Sequence, residues 1–148
     1  MVRNAIEPLN RFLEAQCQSY EDALKEIKAG RKLTHWMWWI FPQYRGLGYS
    51  EISQYYAIQS KDEALAYWKH PVLGGRLRAC IEALLALDTN DAVAIFGPVD
   101  AQKLKSSMTL FLLIGEIDAY VCGKVLDKFF GKEYDLATLT LWSNEGDL

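Results

Sequence analysis

With 148 residues, 51% of them hydrophobic and 24% charged, the chain has the size and composition of one globular domain and not of a disordered segment. Its net charge of −3 gives no global attraction for nucleic acid or acidic membranes. The longest apolar runs, "WMWWIF" and "LFLLI", fall far short of the roughly 18 residues a membrane helix needs.

The N-terminus lacks the basic start, apolar run and small-residue cleavage site of a signal peptide, and a cytoplasmic location is expected. Cys17, Cys80 and Cys122 are an odd number, widely spaced and without a C-x-x-C pair. Such thiols suit a reducing compartment, and each reads as a buried structural cysteine. Cys122 would serve as a nucleophile only with an activating base beside it.

In chain order, "PLNRFLEAQ" (Pro8–Gln16) carries proline in a tolerated first-turn position and Leu9, Phe12 and Leu13 on one face, which predicts a helix. "SYED" then reads as a second start, with Ser19 as N-cap, Ala23, Leu24 and Ile27 buried, and Gly30 as the stop. "PQYRGLGYS" is a loop by its proline and two glycines. Ser50 caps a short helix over "EISQYYAI", and Ser60 caps another with Glu63 as capping-box partner. His70 precedes Pro71, which starts the clearest amphipathic helix: Leu73, Leu77, Ile81, Leu84 and Leu85 recur at steps of three and four up to Leu87.

"TNDAVAIFG" predicts a short helix closed by Gly97. From Pro98 a longer one buries Leu104, Met108, Phe111 and Leu112, with Lys103, Lys105 and Ser106 elsewhere on its circumference. Asp118–Phe130 is helical by Val121, Val125 and Phe129 and stops at Gly131. "DLATLTLW" fits either a strand or a helix capped by Asp135. The fold class is mostly α: a compact single-domain bundle of about seven or eight short helices spanning residues 1–148.

Three stretches carry candidate chemistry. "THWMWWIFPQ" (Thr34–Gln43) concentrates three tryptophans. In a helix Trp36, Trp39 and Ile40 would share one side and His35 and Trp38 another, so one ring can be core while a neighbour lines a cavity. His35, Trp36, Trp38 and Gln43 are the candidate binding residues here, with an indole offering a flat face to a ring-shaped ligand. Tyr44, Tyr49, Tyr55 and Tyr56 extend the aromatic density, and Tyr55 joins the set. In "RGLGYSE" the glycines let backbone approach a ligand, Arg45 offers a guanidinium to an anion, and Glu51 is the best-placed general acid–base. Glu51 is otherwise only a favourable charge at a helix start. In "DAQKLKSSMT", Lys103, Ser106 and Ser107 share a helical surface, although a solvated face also accounts for the lysines. Two histidines and no paired C-x-x-C or EF-hand loop leave no metal site, and no cofactor is expected.

Taken together, "THWMWWIFPQYRGLG", "SQYYAI", "EALAYWKHPVLGGRL", "IFGPVDAQKLKSSMTLF" and "LDKFFGKEYDLATL" resemble the signature blocks of the bacterial domain-of-unknown-function family 1810. The resemblance runs from about Phe12 to Leu141 and implies a small, mostly helical fold. Members often carry the label "calpastatin", whose inhibitory repeats belong to disordered chains, unlike this aromatic one. The segment from "SE" through "DEALAYWKHPVLGGRL" is also similar to the "SE-x-x-Y … EA … P … A-K-x-L-G-R" layout of the NAD/ADP-ribose-associated NADAR superfamily, helical proteins that cleave N-glycosidic bonds. That likeness implies an acid at Glu51, an aromatic at Tyr55 or Tyr56 and a basic element at Gly75–Arg76. Ile52 stands where that layout has histidine, and its A-K pair is missing.

Two functions follow as expectations. One is a pocket that binds or hydrolyses a nucleotide or ADP-ribose-type ligand, with Glu51 activating water and Arg45, Arg76 or Lys103 holding phosphates. Ser106 would lie on its wall. Nucleic acid enters this reading only as a modified-base substrate, and no membrane does. The other is a non-catalytic helical interaction module, in which the aromatics are core and an exposed patch meets a protein not defined by the sequence.

Overall fold

The computed structural model describes residues 6–146. Its eight α-helices are α1 (Ile6–Lys28), α2 (Met37–Ile40), α3 (Glu51–Tyr56), α4 (Lys61–Lys69), α5 (Leu73–Leu85), α6 (Ala92–Leu113), α7 (Tyr120–Phe130) and α8 (Leu136–Gly146), with a 3-10 turn at Ile117–Ala119. No β-strand forms among the described residues, although an isolated parallel bridge pairs Tyr44 with Ile58. The all-α expectation therefore holds, but α1 is long, at 23 residues, while the 22-residue span of α6 is interrupted at Gly97.

The length of α1 corrects the reading of Ser19 as a helix start. Leu9, Phe12, Gln16, Ala23 and Ile27 are buried along one unbroken stripe. Ser19 lies inside that helix and turns its hydroxyl back onto Ala15 O at 2.8 Å, the alternative use a helical serine has for its side chain. α1 packs along α5, and α6 along α7. Between them a chain of rings fills the core: Phe12 meets Tyr67 edge-on at 5.0 Å, and Phe111 lies 5.5 Å from Tyr67 and 5.9 Å from Trp68.

Local signals account for most helix ends. Ser50, Ser60 and Asp91 accept from the backbone N–H groups of Ser53, Glu63 and Ala94. Asp135 accepts from Thr138 N, so "DLATLTLW" is a helix with an aspartate cap. The capping box at Ser60 is only half formed, because Glu63 accepts from Gln59 N and pairs with Arg11. α5 starts at Leu73, two residues later than Pro71 suggested. His70 explains the delay: its Nδ1 accepts from Val72 N and Leu73 N and so serves as the cap. Leu73, Leu77, Ile81 and Leu84 are buried as the periodicity requires, with Leu85 half-buried. At the far end of α5 the Lys128 ammonium donates to the carbonyls of Leu84, Leu85 and Leu87.

Gly97 breaks α6, with φ 80° and ψ 163°, so the chain resumes helix at Pro98 in line with the expected pair of helices. One reading on this helix is corrected. Ser106, expected on a pocket wall, is buried together with Ser107. Ser106 donates to Gln102 O and to the buried Asp135 carboxylate at 3.0 Å, while Thr138 Oγ1, Thr138 N and Gln102 Nε2 also donate to Asp135. Among the cysteines, Cys80 and Cys122 are buried, but Cys17 is exposed on α1. Burial raises the thiol of Cys80 to about 12 and pushes that of Cys122 higher still, so neither is an activated nucleophile.

Candidate functional site

The tryptophan segment is held by one carboxylate. Glu26, buried near the end of α1, accepts from Leu33 N (2.6 Å), Thr34 N (2.9 Å), Thr34 Oγ1 (2.6 Å) and Trp36 Nε1 (3.0 Å). Burial alone would raise its carboxyl. The donors, Thr34 foremost, outweigh burial and hold it at about 2 against an ordinary 4.5.

This anchoring places Trp36 at the N-cap of α2 with φ −150°, outside the helical period. The expected partnership of Trp36 with Trp39 therefore fails. Trp36 is fully buried against Phe41 and Phe96, whereas Trp39 is half-buried, with its ring 6.2 Å from Trp38 and 5.1 Å from Tyr56. One short segment thus supplies both a core plug and an aromatic wall.

The wall opens on a cleft of about 440 Å³ between the 43–49 loop and α3. Trp38, Tyr49 and Tyr56 contribute rings to it, Gln43, Gln54 and Gln59 contribute amides, and Arg45, Ser53 and the 46–48 backbone complete the lining. Two devices hold its sides together. The Tyr44–Ile58 bridge is closed by Arg45 N to Ile58 O at 3.0 Å and Ile58 N to Gln43 O at 2.8 Å. Beneath it Arg11 ties α1 to both helices, donating to Tyr55 O and Ala57 O at 2.8 Å each and to the Glu63 carboxylate at 2.6 Å. This pair is almost wholly buried and its hydrogen bonds are shared with backbone, so it fixes where α3 ends and α4 begins.

The glycines of the loop have steric reasons. Gly46 has φ 96°, and a Cβ there would meet Leu141 at 3.1 Å; at Gly48 a Cβ would sit 2.5 Å from Ser53 Oγ. Gln54 spans the same loop by donating to Tyr49 O at 2.9 Å. Burial pushes the Tyr56 phenol above its ordinary value, with Tyr55 and Glu14 adding to the effect and Arg11 opposing it.

The sequence-predicted residues separate into three groups. Trp38, Gln43 and Arg45 line the cleft, and Tyr55 stands beside it, 4.8 Å edge-to-face from Tyr56. Lys103 is not among the lining residues but lies over one of them: its ammonium is 4.3 Å from the centre of the Trp38 ring and 3.4 Å from Asp100. The remaining residues are elsewhere. Trp36 and Ser106 are committed to the core, His35 is exposed outside the lining, and Arg76 stacks on Tyr20 at 4.9 Å with Gln16 at 3.4 Å. Glu51 opens α3 on its exposed side and is not among the lining residues, although Tyr49 and Ser53 on either side of it are. The described lining contains no aspartate or glutamate.

Sequence reasoning missed Ser53, Gln54 and Gln59 as lining residues. The tyrosine density pointed toward this region, but nothing local announces that the 43–45 and 57–59 segments pair. Among the described residues no group of His, Cys, Asp or Glu is arranged to hold a metal ion.

An all-α bundle with an open aromatic and amide cleft is thus the class of protein at hand. The chain belongs to the family described as "Protein of unknown function (DUF1810)", whose model matches residues 7–142. It is similar to the crystal structure of the conserved hypothetical protein Rv1873 from Mycobacterium tuberculosis, with 41% identity and a TM-score of 0.88 over 91% of this chain and 96% of that one. No curated protein matches the chain.

Proposed function

We propose that the cleft binds a small nucleotide-type ligand, its ring against the Trp38–Tyr56 wall and its polar groups on the glutamine amides and the loop. The observation that carries this reading is the coincidence of size and lining. About 440 Å³ falls within the range of small-molecule sites, and three rings with three amides are the groups that stack on and hydrogen-bond a heterocycle. Arg45 on the same lining favours an anionic tail. The lack of a carboxylate in the described lining supports binding over turnover. Cleavage of an N-glycosidic bond, the activity implied by the NADAR likeness, would fall to Glu51, the acid nearest in sequence to the lining.

The test is calorimetric titration with adenosine monophosphate, ADP-ribose and NAD, each paired with a product assay. Saturable binding that Trp38→Ala weakens by about fivefold or more supports the reading, and absence of binding across all three overturns it. Release of base or nicotinamide by the wild type, lost in Glu51→Gln, would add hydrolysis.

A second reading has its own observation. Tyr49 is 89% exposed and Tyr55 57%, with Ile52 between them, a concentration of apolar surface around α3 that suits a protein partner. Substitution of Ile52 and Tyr55, which do not line the cleft, by serine would then abolish partner capture and leave nucleotide binding intact.

A further inference from the structure

Lys103 and Asp100 bear on which ring the cleft accepts, an inference that rests on the nucleotide-binding reading. Asp100 sits between two ammonium groups, 2.9 Å from Lys32 and 3.4 Å from Lys103. Each ammonium in turn lies over an indole, Lys32 at 5.1 Å from the centre of Trp36 and Lys103 at 4.3 Å from the centre of Trp38. Two positive charges share one negative charge, so the cluster carries a net charge of +1 against an indole that lines the cleft. Lys103 itself does not line the cleft. Trp38 therefore meets the cleft with the surface that its lysine leaves uncovered.

An indole attracts cations through the negative potential of its faces. When an ammonium already occupies one face, it draws on that potential and repels a second cation approaching the ring. A cation stacked on the other face of the ring would stand on the order of 8 Å from the ammonium, close enough at the effective dielectric of a protein surface for the repulsion to cost about tenfold or more in affinity. A neutral heterocycle does not meet this repulsion, and an anionic tail gains from the net positive charge. We infer that Lys103 is a specificity-determining residue that makes the cleft select neutral, electron-rich rings on anionic tails, such as a purine nucleotide or a dihydropyridine nucleotide, and reject pyridinium rings.

Oxidised and reduced nicotinamide mononucleotide provide the test, because they share size and tail and differ chiefly in ring charge. Calorimetric titration of the wild type should give at least about tenfold tighter binding of the reduced form. In Lys103→Met the ratio should fall within about threefold, while Lys103→Arg, which keeps both charge and stacking, should preserve it. Thermal melts of both variants establish that each is folded at the assay temperature. Equal affinity of the wild type for the two forms, or an unchanged ratio in folded Lys103→Met, overturns the role of Lys103 and leaves the cleft reading standing. If neither form binds and adenosine monophosphate does not bind either, the cleft reading itself falls.

Discussion

Trp36 and Trp38 are two residues apart and do opposite things. Trp36 has no exposed surface, and its indole N–H is used up on Glu26; Trp38 is half-buried, backs onto Lys103 and faces a cleft. The difference arises at Thr34 and Leu33, whose backbone N–H groups Glu26 draws in before the first turn of α2 begins. A rigid core plug on one side allows the other side to present rings without collapsing onto them. Aromatic density in a sequence thus marks a boundary between core and site, and what decides the boundary is the polar group that fixes the first ring.

That contrast can be broken most forcefully on the plug side. Trp36→Ala should cost about 3–5 kcal/mol in denaturant melts, as truncation of a fully buried aromatic does. A loss under 1 kcal/mol would mean the indole is not a packing anchor. Arg11→Ala should cost a comparable 3–5 kcal/mol, since it strands the buried Glu63 carboxylate and frees the carbonyls of Tyr55 and Ala57. The double variant Arg11→Met with Glu63→Met should recover much of that loss, which separates an unpaired charge from lost packing.

Glu26 sharpens the comparison through pH. Its folded carboxyl titrates at about 2 and its unfolded one near 4.5, so the stabilisation is fully present above 4.5 and disappears as pH falls from there through about 2. The expected contribution is about 3 kcal/mol. Melts of the wild type and Glu26→Gln should accordingly differ by that amount at neutral pH and converge near pH 2. A difference that persists at pH 2 would assign the effect to geometry instead of charge.

On the cleft side the stability effects are small and the binding effects large. Trp38→Ala should cost roughly 1–2 kcal/mol of stability. It should weaken a stacked ligand by about five- to a hundredfold, the worth of one base–aromatic contact. The smallest effect belongs to Glu51→Gln: about 0.3–1 kcal/mol if the carboxylate only complements the start of α3. A loss of turnover without loss of fold would place it in the chemistry.

Much of the fold is legible locally because caps and stops are short-range. Ser50, Ser60, Gly30, Gly97 and Gly131 act within four residues of where they stand. Ser19 shows the limit of that logic, since the same hydroxyl that can cap a helix can also fold back inside one, and only the continuous stripe from Leu9 to Ile27 decides between them. The site was less legible. Trp38, Gln43 and Arg45 could be picked out as neighbours in one stretch. Gln54 and Gln59 join them only because the Tyr44–Ile58 bridge and Arg11 bring a second segment alongside. Ser106 was misread because its partner, Asp135, lies 29 residues away.

The unequal exposure of the three cysteines gives the protein a built-in gauge of its own folding. A thiol-reactive dye should modify the native chain once, at Cys17, and reach Cys80 and Cys122 only in molecules that have opened. Mass spectrometry of a brief labelling pulse therefore counts folded and unfolded molecules directly, as singly and triply modified species. Because Gln16 and Ser19, close by on α1, hold the Trp39 backbone and indole, the native dye also sits within energy-transfer range of the tryptophan segment.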